Sequence, residues 1–495
     1  MPEFTEEQRA IIEHFGDLLV LAGPGTGKTF TLIHKIKNLL ERGIPQEKII
    51  VLSFSLKVSQ ELKEKLKNSD LSQVKVDTFH GFAYDLYRDY YHTEPPLISE
   101  EEKNAILKKL SLNKKYLKKL EEKKKYYEHL EKLNILDFDL LLLKVSTLPC
   151  RDFTDYHIIV DEFQDLSTEM LQFLNLFKSA NFYLFGDPNQ SIYGFRGICL
   201  MTIKEFLKKT KPKMRYFTLT ESFRCPQEIL EGASFFKSSL WEVPNFKSNF
   251  TGGVVQGFLF PDVSSEKSFL VKWVQNLLGG INLESAQAKG ISPSDIFILA
   301  RVKKALDPLC EVFHKEGIPI AFPEDEAMKI KEELTNFSRK IQARPTSYEV
   351  LMEELSPYAK NLLLNWYELL SQDKEKVKAM LMNLSTNDII CPNLQGINFL
   401  TIHSSKGLEA SVVILYGAEE DLIPFRLFEE TNLDEERRLL YVAITRSKRA
   451  FYFVANKERK IFGYTLNKGV SSWLKHFPIK SFSPLPPKPK QKGLF

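Results

Sequence analysis

Cysteine is scarce in this chain. Five cysteines are scattered through 495 residues, at Cys150, Cys199, Cys225, Cys310 and Cys391, with no C-x-x-C pair. That spacing argues against a zinc site or an iron–sulfur cluster and predicts reduced thiols, as in a cytosol. Long apolar runs are also missing. The longest, such as "VVILYGA" at 412–418, fall far short of the roughly 20 residues a membrane-spanning helix needs. The start, "MPEFTEEQ", is acidic and has no apolar stretch, so no secretory signal is expected. A large charge excess is lacking too. The formal net charge of +4 permits a nucleic-acid partner without arguing for one. No internal repeat is visible. What remains is ordinary globular composition, 43% hydrophobic and 27% charged, in a chain long enough for two to four domains.

Six short apolar runs punctuate the chain: "DLLVLAG", "KIIVLSF", "HIIVDEF", "FYLFGD", "IFILAR" and "VVILYGA". Each is followed by turn chemistry and then a helical pattern, which predicts buried parallel strands. Their presence in both halves predicts an α/β fold with two layered sheets. The texture between them differs. Residues 101–133 hold 11 Lys and 6 Glu with Leu at helical spacing, a helical insertion with a basic outer face. A second helical insertion covers about 326–392. From Ser481 the chain is rich in Pro and Lys, which predicts an extended tail.

"LVLAGPGTGKT" orders a strand, a Gly-rich loop and a helix start as a P-loop does. Gly23, Gly25 and Gly27 let the backbone curl so that N–H groups point at phosphate oxygens, with Ala22, Pro24 and Thr26 completing the loop. The helix N-terminus adds a favourable dipole. Lys28 would bridge the outer phosphates and the Thr29 hydroxyl would hold Mg²⁺. "IIVDEFQD" ends another strand in paired acids. Asp161 is placed for a Mg²⁺ contact, and Glu162 to orient and deprotonate an attacking water. Alone, such acids are usually a solvated turn. With a P-loop upstream, the catalytic reading is the better one.

Further stretches make the pattern specific. "GDPNQSIYGFRG" (186–197), "TESFRCP" (220–226), "TIHSSKGLEASVVIL" (401–415) and "EERRLLYVAITRSKRAFYF" (435–453), together with "DEFQD", resemble the ordered motifs of the UvrD/Rep/PcrA helicases of superfamily 1. "TEEQ", "DTFHGFA", "DFDLLL" and "GAEEDLIPF" match further segments of that family. The resemblance implies two RecA-like motor domains with ATP at their interface, moving 3′ to 5′ on single-stranded DNA and opening tailed duplexes. It implies that Gln8 reads the adenine edge and that Gln190 senses the γ-phosphate. Arg224 and Arg446 would act as arginine fingers, and Glu409 would lie near the ribose and phosphates. Bases would stack on Phe54, Tyr193 and Phe195, a mode that suits single strands. Arg196, Thr78, His80, Thr401 and His403 would contact the strand.

On this reading the first motor domain is 1–87 with 135–235, interrupted by a short insertion at 88–134. The second is 236–325 with 393–480, interrupted by a reduced insertion at 326–392, with 481–495 as the tail. Phe30 and Phe223 depart from the family's Arg and Tyr. The positions flank adenine in the family, so two apolar rings could sandwich it; otherwise Phe30 packs under its own helix. The tail's Gln491, Leu494 and Phe495 resemble the Q-x-x-L-F motif that binds bacterial sliding clamps. The expected setting is cytoplasmic and nucleoid-associated. Two other activities fit the motifs: a translocase that strips proteins from a strand, and a clamp-tethered module whose ATPase only switches DNA affinity.

Overall fold

All six apolar runs are strands, because β-branched and aromatic side chains buried on both faces favour a covered parallel sheet. The computed structural model describes residues 4–112, 120–149, 152–194, 197–279, 291–343, 352–428 and 431–483. In the first sheet lie β1 (Leu18–Ala22), β2 (Ile49–Ser53), β3 (Lys75–Thr78), β4 (His157–Asp161), β5 (Asn181–Gly186) and β6 (Arg215–Leu219). Their order is β3-β2-β4-β5-β1-β6, and every pairing is parallel. A parallel sheet gathers all its strand C-termini on one edge, where ligands of such folds bind. The P-loop, Phe54, Thr78, Asp161 and Asp187 all sit on that edge.

The short β7 (Glu221–Ser222) and β8 (Lys247–Ser248) lie outside both large sheets. The second sheet holds β9 (Val254–Phe260), β10 (Ile296–Ala300), β11 (Ile320–Ala321), β12 (Ile397–Thr401), β13 (Ala410–Tyr416), β14 (Ser447–Asn456) and β17 (Ile479–Ser481). Its order is β11-β12-β10-β13-β14-β9-β17, again all parallel. β15 (Arg459–Ile461) and β16 (Tyr464–Leu466) form a separate hairpin. Each large sheet has its own apolar core. In the second unit a buried cluster joins Arg459 to Glu266 at 2.6 Å and to Glu419 at 2.7 Å. Among the described residues, no helix is long and apolar enough to cross a membrane.

The chain divides into two compact units. One comprises Met1–Ser222, Ser239–Phe246 and Asp325–Ile390; the other comprises Phe223–Ser238, Lys247–Glu324 and Cys391–Phe495. These boundaries differ from the sequence expectation in three places, one of them Ser239–Phe246, expected with the second motor domain and found in the first unit. Phe223–Ser238, expected mostly with the first motor domain, belongs to the second unit, because the helix Gln227–Ser234 packs on the helix Leu433–Thr445 and on β9. The insertion at 325–390 folds with the first unit, although it interrupts the second in sequence. Ion pairs and hydrogen bonds explain this. Lys376 Nζ meets Asp77 at 2.7 Å and Asp85 at 2.9 Å, all three largely buried. Arg88 pairs with Asp373. Lys63 Nζ donates to the Glu368 carbonyl at 3.0 Å, at the end of the helix Pro357–Leu369.

The first insertion is helical as well, with helices Glu100–Lys109 and Leu120–Lys132. Buried Asp137 anchors both: its carboxylate accepts from Lys103 at 2.8 Å and from the Tyr126 hydroxyl at 3.2 Å.

Candidate functional site

The loop after β1 is built for a close approach. Gly25 and Gly27 adopt φ of 72° and 78°, the left-handed region that only glycine enters freely. Gly27 starts the helix Lys28–Glu41 with no side-chain cap, so its first-turn N–H groups form an anion site. Gly23 is needed for space: a Cβ there would stand 2.4 Å from the Phe246 ring. Ala22 ends β1 in full burial, and Thr26 holds the loop by donating to the Gly23 carbonyl at 2.9 Å. The Pro24 carbonyl accepts from Ser222 at 2.8 Å. Gln8 is buried and forms a reciprocal cap with Thr5, while its Nε2 lies 3.0 Å from where a Gly27 Cβ would project. Phe30 is half-buried, with its ring 4.2 Å from His34 and 5.8 Å from Phe4. It therefore sits in an aromatic cluster on its own helix's flank rather than in the deep core.

The paired acids meet the P-loop lysine. Lys28 Nζ lies 2.9 Å from Asp161 and also bonds Glu162. Burial opposes its charge, but the two carboxylates prevail and hold it well above the ordinary lysine value. Burial pushes the Asp161 carboxyl up, against the pull of Lys28. Glu162 has φ of 58°, an uncommon conformation for a non-glycine residue that turns its side chain toward the loop. The Thr29 hydroxyl and Asp161 carboxylate are hard oxygen donors, the kind Mg²⁺ takes beside phosphate oxygens and water.

From Glu162 a chain of hydrogen bonds runs along the sheet edge. Buried Gln164 donates to Glu162. Its Oε1 accepts from the Asp187 backbone at 3.0 Å, and the Asp187 carboxylate accepts from Gln190 at 3.0 Å. Gln164 also takes the Ser191 hydroxyl on its carbonyl at 3.0 Å. Sequence reasoning passed over Gln164.

Ser191 leads to Tyr193, whose ring lies parallel to Phe54, with centroids 6.1 Å apart and planes at 11°. Thr78 caps the helix Phe79–Tyr91, its hydroxyl accepting from the Gly81 N–H at 3.0 Å. His80 has a buried Nε2 without a hydrogen bond, 4.0 Å from Asp139. Burial lowers its pKa, against the pull of Asp139 and Asp137. Phe54, Thr78 and His80 line one cleft of about 210 Å³. Phe195 and Arg196 lie outside the described residues, as do Gln491, Leu494 and Phe495.

In the second unit, register brings distant residues together. Ala410 pairs with Ser447 across β13 and β14, so the preceding Glu409 and Arg446 share an edge. Arg224 donates to Glu409 at 2.8 Å and to the Thr445 carbonyl at 3.3 Å. Lys448 adds a second cation at 2.9 Å. Arg446 is buried and donates to the Val442 and Leu408 carbonyls at 3.1 and 3.2 Å. Burial, with Arg224 beside it, lowers its guanidinium to about 10. Phe223 is 50% exposed next to Arg224. Thr401 ends β12 and bonds Glu324 at 2.8 Å through its hydroxyl; His403 follows, half-buried.

A strand, a glycine loop, an uncapped helix start and a lysine bonded to two acids define a P-loop nucleotide hydrolase. The profile described as UvrD/REP helicase N-terminal domain matches residues 4–124 and 97–211, and the UvrD-like helicase C-terminal domain matches 324–458. The chain is 23% identical to an ATP-dependent DNA helicase Rep of Buchnera aphidicola, covering 96% of this chain and 94% of the relative. It is 24% identical to an ATP-dependent DNA helicase PcrA of Staphylococcus aureus, covering 96% and 86%. The Rep alignment runs over 635 positions, so the relative carries stretches this shorter chain lacks. The chain belongs to the UvrD/Rep helicase family.

Proposed function

We propose that this protein is an ATP-dependent DNA helicase that moves 3′ to 5′ along single-stranded DNA and opens tailed duplexes, in DNA repair or replication. The observation that carries the reading is the continuous path from Lys28 and Glu162, through Gln164 and Asp187, to Gln190 and the loop bearing Tyr193. It offers a way for events at the phosphates to be felt where a strand would stack. Lys28 binds the outer phosphates and Glu162 orients the attacking water and accepts its proton. Thr29 and Asp161 hold Mg²⁺, which neutralises phosphate charge when bound. Gln8 reads the adenine edge, with Phe30 and Phe223 as its flanking rings, and Glu409 lies toward the ribose. Arg224 and Arg446 supply cations to the transferring phosphoryl group. Thr78, His80, Thr401 and His403 contact the strand, whose bases stack on Phe54 and Tyr193.

Two assays test this. ATP hydrolysis should rise with single-stranded DNA and fall by roughly 10²-fold or more in Lys28→Ala or Glu162→Gln. Arg446→Ala should cost roughly 10³-fold. Duplexes with 3′ tails should be unwound and 5′-tailed ones left intact. An ATPase indifferent to DNA would sink the motor reading. Displacement of a bound protein without unwinding would favour the stripping translocase. Addition of a sliding clamp, with full-length and Gln491-truncated protein, tests the Gln491, Leu494 and Phe495 motif.

A further inference from the structure

The cleft lined by Phe54, Thr78 and His80 has a second wall, and that wall comes from the insertion. Asn383 and Asn387 line the same cavity of about 210 Å³. They follow the helix Lys374–Met382, which the Lys376 ion pairs tie to β3 and the helix after it. The stretch is fastened at its far end as well. Asp388 accepts from the Leu56 N–H at 2.9 Å and the Ser385 N–H at 3.1 Å, and Lys57 donates to the Ile390 carbonyl at 2.6 Å. The wall is therefore fixed to the motor unit that carries the stacking rings.

Its chemistry is unlike that of a phosphate site. Asn383 and Asn387 bring amides and no cation. The Asp388 carboxylate is engaged by two N–H groups, and Asp137, also in the cleft, by Lys103, Tyr126 and the Leu140 N–H. The Asn387 amide reaches the Tyr193 hydroxyl at 3.5 Å, beside the Phe54 and Tyr193 ring pair. Across from it, the His80 Nε2 is buried with no hydrogen bond. Amides offer a donor and an acceptor side by side, which fits a base edge; amide donors also serve phosphates, and a base contact is told apart by its loss on an abasic strand.

We propose that Asn383–Asp388 form a built-in second wall of the strand groove, and that Asn387 contacts the edge of a base held at Phe54 and Tyr193. The proposal rests on the reading of this cleft as part of a DNA groove. It makes the insertion a substrate-contacting part of the first motor unit.

The test is equilibrium binding of a labelled single-stranded oligonucleotide, at several salt concentrations, to full-length wild type, Asn387→Ala, Asn387→Gln and Asn383→Ala. Asn387→Ala should weaken binding about 5- to 20-fold with an unchanged salt slope, because no counterion release is lost. Asn387→Gln should recover part of the loss. On a strand with an abasic run, wild type should lose affinity, and Asn387→Ala should lose less than wild type does. Unchanged melting temperatures establish that the variants fold. Wild-type affinity in a folded Asn387→Ala, or an abasic strand that costs Asn387→Ala as much affinity as it costs wild type, overturns the base contact while leaving the helicase reading intact. Wild-type protein that neither binds single strands nor hydrolyses ATP faster with them overturns both.

Discussion

Gly23 and Gly27 show how much of the nucleotide loop depends on one missing carbon. Gly23→Ala drives a methyl into the Phe246 ring and should destabilise the first unit by about 1–3 kcal/mol. Gly27→Ala is strained by its backbone, with φ of 78°, and should cost about 1–2 kcal/mol. Urea denaturation followed by circular dichroism measures both, and loss of nucleotide binding should accompany them. His157 sets an acid limit at the same scale. It is buried against Tyr183, bonded to its hydroxyl at 2.8 Å, and burial, with Lys35 adding to it, lowers its pKa from 6.5 to about 4. Between those values the unfolded chain binds the proton and the folded one does not, so stability falls as pH drops through this window. Melting temperature should fall from pH 6.5 to 4, and His157→Gln should flatten part of that slope. These residues differ in legibility. The loop glycines were readable because a P-loop needs positive φ at fixed spacing. Gln164 was not, because a glutamine carries no signal until its partners at Asp187 and Glu162 are in place.

Among the elements, β1, β2, β4, β5, β10 and β13 were the most legible, since each is a short apolar run buried on both faces, whereas β6 and β17, largely exposed, carry no such run. Their order was not. The two helical insertions were visible as Lys- and Leu-patterned segments, but their destinations were not. The second one hangs on Lys376, whose charge is held by Asp77 and Asp85. Burial pushes the Asp77 carboxyl up, against the pull of Lys376, and Lys75 adds a second cation at 2.8 Å from Asp85. Removing the cation leaves a buried carboxylate alone, so Lys376→Ala should destabilise the first unit by about 3–5 kcal/mol in urea titrations. Lys376→Met with Asp77→Asn should lose less than the two single changes summed, because the second change removes the stranded charge. Strictly additive losses would show that the pair does not hold the insertion.

For the whole molecule, each unit is assembled from three separate stretches of chain. The first unit is therefore not the first half of the sequence. A fragment covering 1–246 lacks 325–390 and exposes Asp77, Asp85 and the face of the helix Leu56–Lys67 on which the helix Pro357–Leu369 packs. It should melt well below the same fragment with 325–390 joined to it by a flexible linker. Equal melting temperatures would mean the insertion is a passive passenger. By itself, the sequence determined the strands, the glycine loop, the paired acids and the family, because local backbone demands and apolar runs are written in adjacent residues. Tertiary structure alone decided which unit owns the second insertion and which residues meet Glu409. Those outcomes depend on strand register and on buried ion pairs between residues 299 and 291 positions apart. No local pattern encodes a partner that distant, since the pair forms only once folding has removed the water around it.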